Sequence, residues 1–199
     1  MEFNDVLDQR RMVRNFSSES VGHETINRIV EAGRRAPSAG NTQGQSFIVV
    51  TDADQRKRLA DLAGEASYVE QGFDPWISRA PVHILVCVSE QAYRDRYSEG
   101  DKTGTDDQYW DVPYWWVDAG ASMQNILLAV VNEGLAAGFL GIHALHGVKE
   151  QLGIPTEVSP VGLVTVGHPL KDRPSGSLKR ARVGQAVHWG KWSGAELSD

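Results

Sequence analysis

The segment YWWVDAGASMQNILLAVVNEG, residues 114–134, constrains the fold of this chain more than any other stretch. Its pattern predicts one long helix that stops at Gly134. Apolar residues surround this helix on nearly all sides, except along a polar line formed by Asp118, Ser122 and Asn125 at spacings of i, i+4 and i+7. A helix of this kind is buried. We therefore expect it either in the centre of the fold or against another subunit.

Shorter segments before and after this helix alternate between helix and strand. Apolar residues at helical spacing predict a helix over residues 23–35, which Pro37 ends. A second helix is expected to run from a cap at Asp52 to about Ala66. The other predicted elements are the strands SFIVVT, VHILVCVS and PVGLVTVG, a short run FLGI and a brief helix HGVKEQLG. The layout is α+β around one sheet, and the pattern leaves the strand order open.

Composition bounds the class of protein. The chain has 199 residues, of which 41% are hydrophobic, and this suits a single domain over residues 1–199. We expect no export and no membrane span, because the longest aliphatic run, at 126–131, is too short to cross a bilayer. The formal net charge of −6 argues against binding to nucleic acid. The single cysteine, Cys87, lies in an apolar run and predicts a buried, inert thiol, which favours a reducing cytoplasm.

Two stretches have too many polar residues to belong to the core. Residues 90–113 are polar and aromatic and too long for a simple connection, so we expect a lid or a substrate-facing excursion, with disorder as the alternative. The run RRAPSAGNTQ, residues 34–43, follows a helix with proline, glycine and small polar side chains. It is either an ordinary surface turn or a backbone shaped to meet a ligand.

Basic residues cluster near both ends of this acidic chain: Arg10, Arg11 and Arg14 in one group, and Lys179, Arg180 and Arg182 in the other. Guanidinium groups bind phosphate well, although charge clusters are commonly solvated surfaces. The chain lacks the GxSxG, GxxxxGK[ST] and GxGxxG motifs. His143 and His146 have no nearby ligand to complete a metal set, and we expect no metal site. The residues alone indicate an anion-binding α+β domain.

An ordered set of motifs resembles the FMN-dependent nitroreductase family. The set comprises RRMVRNF at 10–16, the helix that leads into APSAGNTQ, the segment DADQRKRLADLA, then DAGASMQNILLAVVNEGLAAG at 118–138 and a late VGLVTVGHP. The resemblance implies a mixed, mainly antiparallel sheet wrapped by helices. It also implies a homodimer with two FMN molecules in the crevices between the subunits.

The resemblance also implies which residues bind the flavin. Arg10 would hold the FMN phosphate together with Arg180 and Arg182, and Arg11 would compensate for Met12, which replaces a serine common in the family. Arg14 would lie near flavin N1 and O2 and stabilise the charge that develops there, as the catalytic residue. The amides of Leu140 and Gly141 would approach N5 and O4. The residues that would face the flavin of the other subunit are Pro37, Ser38 and Asn41, with Gln43 close by.

The implied activity is an oxidoreductase that passes hydride from NADH or NADPH through FMN to a flat electrophile, such as a nitroaromatic or a quinone, by a ping-pong mechanism. Tyr97, Tyr109 and Trp110 would rim the open flavin face. The alternatives are a flavin-storage protein without turnover, flavin fragmentation or dehalogenation in the same superfamily, a deazaflavin in place of FMN, and an anion-binding domain without flavin.

Overall fold

A four-stranded antiparallel sheet forms the centre of the molecule. The computed structural model describes residues 1–102, 110–171 and 186–192. The strands follow the order β1-β2-β4-β3, so β1 and β3 are the edges. Their bounds are Gln45–Val50 for β1, Val82–Ser89 for β2, Ala136–Gly141 for β3 and Val158–Gly167 for β4. An added parallel bridge between Met12 and Ala137 makes the pairing mixed, and the predicted α+β class with a mainly antiparallel sheet is confirmed.

Helices cover both faces of this sheet. Their bounds are Phe3–Gln9 for α1, His23–Arg34 for α2, Ala53–Leu62 for α3, Glu65–Glu70 for α4, Trp76–Arg79 for α5, Glu90–Tyr97 for α6, Tyr114–Asn132 for α7 and Val148–Leu152 for α8. Alternate residues of β2 point to opposite faces. Ile84 and Val86 join the core against α2 and α7, whereas Leu85 and Cys87 join the core on the side of α3 and α5. This double burial explains why β2 is a continuous apolar run.

The long helix α7 lies where the sequence predicts a central helix. It ends at Asn132, and Gly134 follows with a φ of 74°. Asp118 and Ser122 are buried, and the Asn125 side chain donates to the Ala32 carbonyl of α2 at 3.1 Å. One face still exposes large apolar side chains, including those of Trp116 and Val117. In the described parts of the chain, no helix is both long and apolar enough to span a membrane.

Two predicted segments differ in detail from the structure. Asp52 caps α3 as expected, with its carboxylate accepting the Gln55 N–H at 2.9 Å. The helix ends at Leu62 rather than near Ala66, because Gly64 adopts a φ of 69° and a separate helix then begins. The predicted lid over 90–113 begins with α6, whose Tyr93 is fully buried. Residues 103–109 lie outside the described residues, so a lid stays a prediction.

Candidate functional site

The basic segment near the N-terminus runs beside edge strand β3. Arg10 ends α1, and its N–H donates to the Val6 carbonyl at 3.0 Å. The Val13 N–H then donates to the Ala137 carbonyl at 2.9 Å, next to the bridge that Met12 makes with Ala137. Leu140 and Gly141 belong to the same strand, β3. The structure therefore brings the predicted arginine segment and the predicted backbone amides onto one edge of the sheet.

The short helix α5 packs against the basic segment through Trp76 and Arg79. The guanidinium carbon of Arg14 lies over the Trp76 ring, 5.8 Å from its centre. Arg79 donates to the Asn15 side-chain oxygen at 2.7 Å, and the Asn15 amide donates to the Lys171 carbonyl at 2.9 Å. Both Trp76 and Asn15 are buried. The orientation of the basic segment thus depends on α5.

A helix of four residues is not stable alone, and buried polar groups hold α5 in place. The Glu65 carboxylate accepts the Ile77 and Ser78 N–H groups at 2.6 and 3.1 Å. Arg56 donates to the Ser78 and Ala80 carbonyls at 2.8 and 2.7 Å. Sequence reasoning missed this helix, since its partners are scattered along the chain.

His83 also contributes to this support. Its Nε2 lies 2.7 Å from the Ile77 carbonyl, so the neutral ring donates from this atom. The imidazole is fully buried, and this burial lowers the pKa of His83 from 6.5 to about 4. Arg56 lowers the pKa further by charge repulsion. At neutral pH, His83 is therefore an uncharged hydrogen-bond donor within the core.

The turn that precedes β1 has an unusual backbone. Gly40, Asn41 and Gln43 have φ values of 63°, 55° and 54°, and within the described ranges Asn41 and Gln43 are the non-glycine residues with positive φ. Such a conformation costs about 1 kcal/mol for each non-glycine residue. The Ser38 hydroxyl accepts the Gln43 N–H at 2.9 Å. Strain at exposed polar residues is typical of ligand-binding segments.

The buried side chain of Asp118, on α7, bonds the turn that precedes β1. One carboxylate oxygen accepts both the Ala39 N–H and the Tyr93 hydroxyl, each at 2.8 Å. Asp118 is only 7% exposed. Burial and the neighbouring carboxylate raise the pKa of Tyr93, so its hydroxyl stays protonated as a donor. The sequence marks Asp118 as one of a polar line, but it gives no sign of either partner.

From α6, Arg96 contacts the same turn. Its Nε donates to the Gly40 carbonyl at 2.9 Å, and its terminal nitrogens donate to both oxygens of Asp101 at 2.7 and 2.8 Å. The Tyr97 ring packs against Gly40 so closely that a Cβ there would lie 2.8 Å from Cε2. Trp110 packs edge-on against Tyr97 at 4.8 Å between ring centres. Tyr109 lies outside the described residues.

The turn and the basic segment lie at diagonal corners of the sheet. Strands are about 4.8 Å apart, so the edges β1 and β3 are separated by about 14 Å. The turn leads into Gln45, which pairs with Val88, whereas Ala137 lies in register with Val82 through β4. The length of β2 between Val82 and Val88 is about 20 Å. One planar ring cannot contact both parts within a single chain.

A cleft of about 220 Å³ opens beside the basic segment. Its walls include Arg11, Val13, Leu135, Ala136 and Pro169. Ligand pockets usually have volumes of about 300–1,000 Å³, so this cleft is smaller than a typical pocket. Arg180 and Arg182 lie outside the described residues, and their convergence with Arg10 stays a prediction.

Cys87 has no place in this site. Its side chain is fully buried in the core, and burial raises the pKa of the thiol to about 11. A thiol with this pKa is not a nucleophile at neutral pH. The predicted burial of Cys87 is confirmed, and its lack of reactivity stays a prediction.

Comparison with known proteins gives a consistent assignment. The model of the nitroreductase family matches residues 7–168. A Bacillus subtilis FMN reductase [NAD(P)H] is 31% identical over 90% of this chain and 69% of its own length. A Vibrio harveyi NADPH-flavin oxidoreductase is 27% identical over 95% of this chain and 74% of its own. A Desulfovibrio desulfuricans structure of a candidate nitroreductase in complex with FMN is 28% identical, with a TM-score of 0.70 over 94% of this chain and 95% of its own.

The family match begins before the basic segment and ends just after β4, so it includes Arg14 and Trp76, the strained turn and all four strands. The motif order that resembles the family in the sequence is thus carried by a fold that also occurs in a related structure. This chain belongs to the nitroreductase family.

Proposed function

We propose that this protein is an FMN-dependent NAD(P)H oxidoreductase that binds FMN between two copies of the chain. Relatives named FMN reductase and NADPH-flavin oxidoreductase support the activity. The FMN complex of a structural neighbour supports the cofactor. The exposed apolar face of α7 supports a subunit interface. The acceptor is a flat electrophile, such as a nitroaromatic or a quinone.

The residues on the edge beside β3 suit FMN chemically. Arg10, Arg11 and Arg14 are permanently charged forked donors, which match a phosphate and an anionic ring edge. The Met12 side chain offers no hydrogen bond to phosphate, and Arg11 compensates for the contact that the serine common in the family would give. Arg180 and Arg182 complete the phosphate site in this proposal.

A site shared between subunits has its strongest support in the diagonal separation of the two parts. The turn at 37–43 and the segment at 10–14 lie too far apart in one chain for one ring. A second copy related by two-fold symmetry supplies the missing turn at each site. Pro37, Ser38, Asn41 and Gln43 then face the flavin that the partner's arginines hold.

When bound, FMN supplies hydride transfer from NAD(P)H to the acceptor, in two successive half-reactions at one ring face. Arg14 provides fixed positive charge where the ring becomes negative, beside N1 and O2. The amides of Leu140 and Gly141 orient the N5 and O4 edge. Trp76 restricts Arg14 to few conformations. Arg14 therefore needs little rearrangement when negative charge develops on the flavin ring. This chemistry needs no side-chain nucleophile, in agreement with the buried Cys87.

A mixed-dimer experiment tests the shared site. Chains with Arg14→Ala and chains with Pro37→Trp are co-expressed with different affinity tags, and the mixed dimer is isolated. Each parent dimer is expected to bind FMN weakly at both sites. The mixed dimer combines an intact Arg14 with an intact turn at one of its two sites, so it should bind one FMN tightly. Equal weakness of the mixed and parent dimers would rule out a shared site.

Absorption spectroscopy tests the redox role. Flavin bands that bleach on anaerobic addition of NADPH, and return on addition of a nitroaromatic, would support the oxidoreductase. Bands that resist NADH and NADPH would favour a flavin-storage protein, and a band near roughly 420 nm would indicate a deazaflavin. A colourless protein that FMN does not stabilise would leave only an anion-binding domain.

A further inference from the structure

We infer that Arg96 and Asp118 are positioning residues that hold the strained turn at residues 38–43 in the shape required by the FMN site of the partner subunit. This inference rests on the proposed function. It assigns a role to two side chains that contact the turn rather than the flavin.

The strain of the turn needs an external restraint. Asn41 and Gln43 adopt left-handed φ values of 55° and 54° that an unrestrained chain rarely populates. The internal bonds of the turn, such as the Thr42 hydroxyl to the Ala39 carbonyl at 2.6 Å, are short-range and compete with water. The turn has apolar contacts at Ala39, which packs against the core, and at Gly40, which packs against the Tyr97 ring, but such contacts do not set the direction of a backbone N–H or carbonyl group.

Two helices supply that restraint from different directions. Asp118 accepts the Ala39 N–H at the start of the turn, and Arg96 donates to the Gly40 carbonyl one residue later. Both bonds involve a charged side chain, which makes them stronger than neutral ones. Asp118 on α7 thus fixes the peptide unit before Ala39 through its N–H, and Arg96 on α6 fixes the peptide unit after Gly40 through its carbonyl. The residues that follow, Asn41 to Gln43, inherit this orientation.

Arg96 is itself oriented by its neighbours. The paired bonds to Asp101, at 2.7 and 2.8 Å, and a third to Glu99 at 2.9 Å occupy its terminal nitrogens. Only Nε then faces the turn, and it donates to the Gly40 carbonyl. The Arg96 side chain is 22% exposed, compared with 45% for Arg94 on the same helix. Arg94 pairs with Glu90 and makes no hydrogen bond to the turn, so it is a matched control.

The first test measures FMN affinity of the full-length dimer by quenching of FMN fluorescence. Arg96→Met is expected to weaken FMN binding by about tenfold, as loss of a charged hydrogen bond that positions a contact. Asp118→Asn, which keeps the size of the side chain, should weaken binding in the same direction. Arg94→Met should bind FMN like the wild type. If Arg96→Met destabilises the dimer in urea, Arg96→Lys replaces it in the FMN titration. Lysine keeps the positive charge but cannot bond Asp101 and the Gly40 carbonyl with a planar guanidinium group, so FMN binding should again weaken.

The second test separates positioning of the turn from a general structural effect. In a mixed dimer of Arg96→Met and Arg14→Ala chains, the Arg96→Met chain keeps its arginine segment and receives an intact turn from its partner. This dimer should therefore recover one tight FMN site, which a general loss of structure would not restore. Unchanged FMN affinity of Arg96→Met, or no recovery in the mixed dimer, would overturn the inference alone. A wild-type dimer that does not bind FMN would overturn the proposed function and this inference with it.

Discussion

Arg14 lies over the face of the Trp76 indole, with 5.8 Å between the guanidinium carbon and the ring centre. The electron-rich face of an indole attracts a cation with about 0.5–2 kcal/mol, and the lower part of this range applies to an exposed arginine. The contact also limits the conformations of a long side chain. Arg14 is therefore oriented before any ligand binds.

Arg14→Ala is expected to weaken FMN binding by about 10- to 100-fold, because a charged contact to the ring edge is lost. Reduction of the bound flavin by NAD(P)H should also slow, since the developing negative charge loses its counter-charge. Stopped-flow absorbance at saturating FMN measures this rate. The protein should stay folded, as Arg14 is exposed. An unchanged rate of reduction would contradict a role beside N1 and O2.

Trp76→Phe and Trp76→Leu should separate ring stacking from core packing. Trp76 is 5% exposed, so both substitutions are expected to destabilise the fold by about 1–3 kcal/mol. Phenylalanine keeps an aromatic face under Arg14 and leucine does not. FMN affinity should therefore fall further for Trp76→Leu than for Trp76→Phe. Equal affinities in titrations of the two variants would show that the indole acts only through packing.

Buried His83 predicts a dependence of stability on pH. Its folded-state pKa of about 4 lies below the ordinary 6.5, so the unfolded chain binds the proton more tightly. The stabilisation is complete above pH 6.5 and is lost as the pH falls from 6.5 toward 4. Between pH 7 and pH 5 the loss is on the order of 2 kcal/mol. Urea unfolding at the two pH values should show this loss in the wild type and a smaller one in His83→Gln.

Cys87 should resist thiol reagents in the native protein. The side chain is fully buried, and burial raises its pKa to about 11, so little thiolate is available. Labelling with a chromogenic disulfide is expected to be slow in buffer and fast in urea, with a rate set by unfolding. Rapid stoichiometric labelling of the folded protein would contradict the buried position.

Gly33 allows α2 and α7 to approach closely. A Cβ at this position would lie 2.8 Å from Cγ1 of Ile126 and 3.3 Å from the Phe47 ring. Alanine gains about 1 kcal/mol of helix propensity, whereas overpacking a core costs about 1–3 kcal/mol. Because Ile126 is fully buried and cannot move into solvent, Gly33→Ala should be destabilising in urea. The same Cβ would lie 2.9 Å from Cδ1 of Ile126, so adding Ile126→Val, which removes Cδ1, should recover part of the stability.

The parts of the fold that are predictable from sequence are those with a local signal. The apolar run of β2 and the long pattern of α7 identify these elements without any knowledge of their neighbours. The end of α3 is missed because apolar spacing continues past Gly64, where the backbone turns left-handed. Helix α5 is missed because four residues carry no periodicity, and side chains from other elements hold it in place.

The candidate site divides in the same way. The resemblance selects the arginines and the turn as candidates, since these residues form motifs along the chain. Asp118 is conspicuous as a polar residue in an apolar helix, yet its partners Ala39 and Tyr93 are 79 and 25 residues away. Nothing in the sequence predicts that Arg96, rather than Arg94, reaches the turn. Such pairings depend on the tertiary fold and are visible only in the structure.

In the proposed shared site, the diagonal separation of the basic segment and the turn would couple cofactor retention to subunit concentration. A shared site exists only in the dimer, so dilution that separates the chains also releases the cofactor, and added FMN shifts the equilibrium back toward the dimer by mass action. Under this proposal, a newly made chain would acquire its redox capacity only after it meets a second copy. The amount of active protein would then depend on the concentrations of both flavin and chain, and it would rise steeply once both exceed their dissociation constants.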